Sequence, residues 1–158
     1  MKSTRERAEE KRTLVDCNEV LKKVLLNLEA SIAETKAKIT SDPLPSLMAS
    51  EATLIQLFQN LLANALKYRS EEPPIVHISA FRKGAEWVFS VRDNGIGIDA
   101  QYARQIFGVF KRLHPPDKNP GTGIGLAICQ KIVERYGGRI WLESLRGQGS
   151  EFRFAMPS

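Results

Sequence analysis

Apolar residues recur along the chain in two long stripes at helical spacing and in several short alternating runs. Leu54, Leu57, Phe58, Leu61, Leu62, Ala65 and Leu66 follow i, i+3, i+4, i+7 spacing without a gap, which predicts a helix from Ser50, its N-cap, to Tyr68. Gly125, Ile128, Cys129, Ile132, Val133 and Tyr136 trace a second amphipathic helix, stopped by Gly137-Gly138. A third helix is predicted from an Asn18 cap to Ile32, with Val20, Leu21, Val24, Leu25 and Leu28 on its apolar side. Short strands are expected at Leu14–Cys17 and Ala37–Thr40, the latter followed by the breaker-rich loop Asp42-Pro43-Leu44-Pro45. Ile75–Phe81 and Trp87–Arg92 flank a Lys83-Gly84 turn, and Trp87, Phe89 and Val91 alternate onto one face. Strands Arg139–Ser144 and Glu151–Met156 enclose a turn at Arg146-Gly147-Gln148-Gly149. Helices and strands mix without strict alternation, so the expected class is α+β: a two-layer sandwich of one mixed, mostly antiparallel sheet with helices on one face. Residues 1–12 are polar and lack an apolar stripe, and they read as the remnant of an upstream helix or linker ahead of a single domain over 13–158.

Composition narrows the functional classes. A length of 158 residues suits one compact domain, and 42% hydrophobic with 26% charged residues argues against disorder. No apolar run approaches a membrane span, and Met1 to Arg12 is charged where a signal peptide would be apolar, so a soluble cytoplasmic domain without membrane contact is expected. Cys17 and Cys129 are far apart and form no metal motif, which fits a reducing compartment. The net charge is +5, but the basic residues are spread out, with no run of five and no aromatic interleaving. That pattern describes a solvated basic surface, and no nucleic-acid partner is expected.

Three constellations carry chemistry. Asn60, Asn64 and Lys67 cluster on the side of the first helix opposite its apolar stripe. Alone they fit a wet helix face. They also fit a magnesium–phosphate site, because an amide carbonyl is a neutral oxygen ligand and a lysine supplies a point charge. Asp93-Asn94-Gly95-Ile96-Gly97-Ile98-Asp99 follows a strand end directly. It fits a turn, and it fits a site where Asp93 accepts the exocyclic amine of adenine while Gly95 and Gly97 admit the base. EF-hand spacing is absent. Gly121-Thr122-Gly123-Ile124-Gly125-Leu126 opens the second helix. Free N–H groups there suit a phosphate. The spacing is not G-x-G-x-x-G, the preceding His114–Pro120 stretch is a proline-rich loop, and no Gly-Lys-Ser/Thr follows, so Rossmann and P-loop turns are disfavoured. Between these lies Ile106–Pro116, where Phe107 and Phe110 read as core anchors and Lys111 and Arg112 sit on a segment able to close over a triphosphate.

Taken in order, Asn60-x-x-x-Asn64-Ala65-x-Lys67-Tyr68, the Asp93 motif, Phe107-x-x-Phe110 and Gly121–Leu126 resemble the N, first glycine, F and second glycine boxes of sensor histidine kinases. Those kinases share a Bergerat-type ATPase superfamily with gyrase, the heat-shock chaperone ATPase and mismatch-repair proteins. The wording QLFQNLLANALKYR, FKRLH and AICQKIVERYGGRIWLES is similar to the kinase ends of bacterial phytochromes and PAS-linked sensors. The resemblance implies ATP and Mg2+ as ligands. Asn64 would hold the metal with help from Asn60, Lys67 would meet phosphate and Tyr68 would lie beside adenine. Asp93 would read the adenine amine, with Gly95, Gly97 and Ile98 in the base site. Arg112, Gly121, Thr122, Gly123, Gly125 and Leu126 would enclose phosphates and ribose. The implied partners are a histidine-bearing dimerisation domain and the receiver domain of a response regulator.

The sequence departs from the complete kinase pattern in one large respect. No His-Glu-x-x-x-Pro-like acceptor helix is present, and the only histidines are His77 in a strand and His114 in the lid. The chain is therefore expected to bind ATP and to phosphorylate nothing unless a histidine domain is supplied. Two rivals share the boxes: an ATP-hydrolysing conformational switch and a stand-alone anti-sigma-factor-type serine kinase. Both normally carry a water-activating glutamate four residues before the magnesium asparagine, and that position is Asn60.

Overall fold

The computed structural model describes residues 11–67, 72–95, 122–144 and 149–157. The chain starts with β1 (Thr13–Asp16), which leads directly into α1 (Cys17–Asn27). The cap of α1 is Asp16, not Asn18: its carboxylate accepts the Asn18 N–H at 2.8 Å. Asn18 instead ties the helix start to the proline loop, donating to the Leu44 carbonyl and accepting the Leu44 N–H, both at 2.9 Å. Nor does the helix run unbroken to Ile32. It ends at Asn27, and after Leu28 a short α2 (Glu29–Thr35) follows. None of its residues is buried, so the apolar periodicity that sets α1 has no counterpart there.

β2 (Lys38–Ser41) and β3 (Ser46–Ala49) flank the proline loop. β3 falls on residues that local pattern alone left unassigned, and it exists because β1 pairs with it antiparallel, with Leu14 opposite Met48. Then come α3 (Glu51–Lys67), β4 (Ile75–Lys83), β5 (Glu86–Asp93), α4 (Thr122–Arg135), β6 (Arg139–Ser144) and β7 (Ser150–Pro157). The main sheet has five strands in the order β2-β4-β5-β7-β6, with β2 parallel to β4 and the other pairs antiparallel. This is the expected two-layer α+β sandwich.

The helices lie on one face. Phe89 of β5 stacks on Phe154 of β7 with ring centroids 4.8 Å apart, and Phe58 of α3 meets both edge-on at 5.8 and 5.6 Å. All three rings are fully buried. β5 presents Phe89 and Val91 to this core, as period-two alternation requires, and Val76, Ile78, Phe152 and Met156 join them. The opposite sheet face carries Ser90, Glu151 and Arg153, where the Glu151 carboxylate accepts hydrogen bonds from Ser90 Oγ and from Arg153 Nε.

α4 ends as its glycines dictate. Gly137 takes φ 81°, and the Gly137 and Gly138 N–H groups bond Glu134 and Val133 carbonyls at 2.9 Å. Among the described residues, no helix is long and apolar enough to cross a membrane.

Candidate functional site

Two contacts set the direction in which α3 and α4 run past each other. Tyr136, just after α4, accepts the Ser50 N–H at 3.1 Å at the start of α3. Midway along, Cys129 lies against the Leu57 carbonyl at 3.9 Å. The helices are therefore antiparallel, and the same interval carried on once more brings the first residue of α4, Thr122, alongside Asn64. After Tyr136 the chain enters β6 at Arg139, which pairs with Ala155. The Tyr136–Ser50 junction thus belongs to the Trp87 end of the sheet, because Ala155 pairs with Val88. The C-terminal half of α3, the glycine-rich start of α4 and the Asp93 end of β5 gather at the other end.

Asp93 terminates the inward face of β5, two residues beyond Val91 and four beyond Phe89, so its carboxylate points into the helix-covered side and is only 8% exposed. Oδ1 accepts the Gly95 N–H at 2.7 Å, a local turn that the Asp-Asn-Gly sequence favours. Ser150, its cross-strand partner at the start of β7, donates its hydroxyl to Oδ2 at 3.2 Å and Oδ1 at 3.4 Å. Burial raises the Asp93 pKa from its ordinary 3.8, against the pull of these donors. The result is an acceptor aimed into the apolar layer at a strand end, the position from which it can take a hydrogen bond from a bound amine.

Asn94 faces elsewhere. Its Oδ1 accepts the Ile75 N–H at 2.8 Å and its Nδ2 donates to the Pro73 carbonyl at 3.3 Å. It pins the entry of β4 to the exit of β5.

On α3, Asn64 is buried at 8% exposure, and its side-chain amide has no hydrogen-bond partner among the described residues. A side-chain amide oxygen at such a position can accept a donor or coordinate a cation. That donor chemistry fits a hydrated magnesium ion. Asn60, one turn earlier and half-buried, lies near enough to Cys129 to oppose the rise that burial imposes on its thiol pKa. Cys129 is fully buried, and desolvation pushes its thiol up to about 12.

Leu126 is buried at 1% exposure in the core beneath the start of α4. The backbones of Lys67, Thr122, Gly123 and Gly125 are placed by α3 and α4. Tyr68, Gly97, Ile98, Arg112 and Gly121 lie outside the described residues, as do Phe107 and Phe110. The structure thus brings Asn64, Asp93, Gly95 and the start of α4 to one end of the sandwich. Ser150 is the site residue that sequence reasoning missed. A serine after a glycine at a strand start has no signature of its own, and only the β5–β7 register places it beside Asp93. A groove of about 640 Å³ between α3 and α4, lined by Gln56, Ile128, Lys131, Ile132, Glu134 and Arg135, lies toward the opposite end and has no part in this arrangement.

The family model described as histidine kinase-, DNA gyrase B-, and HSP90-like ATPase matches residues 49–158. Cyanobacterial phytochrome A of Nostoc sp. is 57% identical over 144 residues, covering 91% of this chain and 19% of that protein. The chain spans about a fifth of the length of the first curated relatives it matches. Among solved structures, full-length ShkA in complex with AMPPNP superposes with a TM-score of 0.79 at 29% identity, covering 94% of this chain and 31% of that one. The catalytic domain of histidine kinase ThkA gives a TM-score of 0.77 at 27% identity, over 92% of this chain and 95% of that one. ThkA in complex with the response regulator protein TrrA gives 0.73 at 25% identity, over 92% and 41%.

Proposed function

The chain belongs to the histidine kinase-, DNA gyrase B-, and HSP90-like ATPase family, and on that premise we propose that it binds Mg-ATP and donates the γ-phosphate to a histidine on a separate helical domain of its parent kinase. The observation that carries this reading is the buried Asp93 carboxylate, held by Gly95 and Ser150 at the same end of the sandwich as Asn64 and the glycine-rich start of α4. Asp93 accepts the exocyclic amine of adenine, and guanine, with a carbonyl at that position, is rejected. The main-chain N–H groups that open α4 meet the phosphates. Asn64 supplies a neutral oxygen to magnesium, with Lys67 nearby on the same helix. The bound ion would neutralise charge on the β- and γ-phosphates. This domain's own part is positioning and charge complementarity, and it contributes no nucleophile. The phosphate would then pass to the receiver domain of a response regulator, a partner of the kind present in the ThkA complex.

The hydrolytic alternative is disfavoured at one residue. Asn60 has no ionisable group, so it is unsuited to take a proton from water. The test is calorimetric titration with Mg-ATP and Mg-GTP, followed by transfer of radiolabelled phosphate to an added histidine-bearing helical domain. Adenine-selective binding and an acid-labile phosphoprotein are expected. Absence of binding at millimolar ATP refutes the nucleotide site. Fast intrinsic hydrolysis or an acid-stable phosphoserine product refutes the histidine kinase assignment.

A further inference from the structure

We propose that Gly149 is a positioning residue for Asp93: β7 reaches the end of β5 closely enough to hold that carboxylate only because residue 149 has no side chain. The proposal rests on the nucleotide role of Asp93 and deepens it.

Gly149 is buried and adopts φ 95°, a conformation that side-chain-bearing residues rarely take. A Cβ there would lie 2.1 Å from the Asp93 carbonyl oxygen and 3.0 Å from both the Asp93 carbonyl carbon and the Asn94 Cα. All three neighbours are backbone atoms at the end of the central strand, so none can turn aside as a side chain would. The strands themselves must separate. The residue that moves with Gly149 is Ser150, whose hydroxyl donates to the Asp93 carboxylate. Displacing the start of β7 removes this donor and leaves the buried carboxylate with Gly95 alone among the described residues. Nothing in a turn-like Arg-Gly-Gln-Gly sequence distinguishes this glycine from its neighbour Gly147, since the constraint comes from a strand more than fifty residues upstream.

Two other glycines separate this role from general structural cost. Gly138 makes an equally close approach at the far end of β7, where a Cβ would lie 1.9 Å from the Ala155 carbonyl oxygen. Gly84 turns β4 into β5 at φ 62° with nothing within 4 Å of its Cβ position. Neither is near Asp93. Gly149→Ala, Gly138→Ala and Gly84→Ala are each melted thermally and titrated with Mg-ATP and Mg-GTP. All three are expected to lower Tm, but only Gly149→Ala weakens ATP binding by about tenfold or more and erodes the preference for ATP over GTP. Should Gly149→Ala be unfolded in buffer, the three titrations are run in trimethylamine N-oxide, which favours the compact state. ATP affinity within about twofold of wild type in folded Gly149→Ala, or an equal loss in Gly138→Ala, overturns the proposal. A wild-type chain that binds no ATP overturns the nucleotide reading beneath it instead.

Discussion

The phenol oxygen of Tyr136 accepts the main-chain N–H of Ser50 at 3.1 Å, joining the end of α4 to the start of α3 across 86 positions of sequence. Ser50 itself caps α3 only loosely, with its Oγ 3.4 Å from the Thr53 N–H. The tyrosine bond therefore anchors the end of the helix pair remote from Asp93. With Cys129 against Leu57, it fixes the antiparallel run that brings the glycine-rich start of α4 to Asn64.

Tyr136→Phe is expected to keep the ring packing and lose the bond. The cost is about 0.5–1.5 kcal/mol, or a Tm lower by about 2–4 °C per kcal/mol for a domain of this size. ATP affinity should be unchanged, because the contact lies at the far end of α3. Thermal melts with and without nucleotide check both statements.

Asp93→Asn is expected to weaken ATP binding by about 10–100-fold, the worth of one charge-assisted hydrogen bond. The same change should raise the Tm of the nucleotide-free domain at neutral pH. The sign follows from the raised pKa: the folded state holds the Asp93 proton more tightly than the unfolded chain, so ionisation costs stability. That component is fully favourable below the ordinary value of 3.8 and is lost as pH rises through the elevated folded-state pKa. The amide has no charge to desolvate. Melts of both proteins from acid to neutral pH should therefore diverge in favour of the variant as pH rises, and parallel curves would remove burial of the charge as the cause.

Phe58→Ala is expected to cost about 3–5 kcal/mol, the range for deleting a buried aromatic ring. Phe58 is wedged edge-on from α3 against the stacked Phe89–Phe154 pair, so the sheet side cannot close the space. Denaturant unfolding measures the loss, which should exceed that of Phe81→Ala, since Phe81 is 45% exposed.

Both cysteine thiols should resist alkylation in the native state. Cys17 and Cys129 are buried, and desolvation raises each to about 12, with the Asp16 charge adding at Cys17. The thiolate, the reactive form, is scarce at pH 8. Iodoacetamide treatment followed by mass spectrometry should show little native labelling and two adducts after denaturation. Rapid native labelling of Cys129 would mean that α3 and α4 separate readily.

The sequence by itself determined α3, α4 and the strands β4 to β7, because each has a complete apolar period that only one secondary structure can bury. It also determined the order of the asparagine, aspartate and glycine motifs, because each is local, with residue types and spacing confined to a few positions. What it left undecided depends on partners distant in the chain. β3 exists through pairing with β1, and α1 is capped by Asp16 because Asn18 is drawn to Leu44. Asn60 reads as part of a wet helix face, and packing leaves it half-buried. The helper of Asp93, Ser150, and the glycine that admits it are specified only by the β5–β7 register. Local periodicity fixes which face of an element is buried, but a site is made where elements meet, and that meeting was decided by tertiary packing.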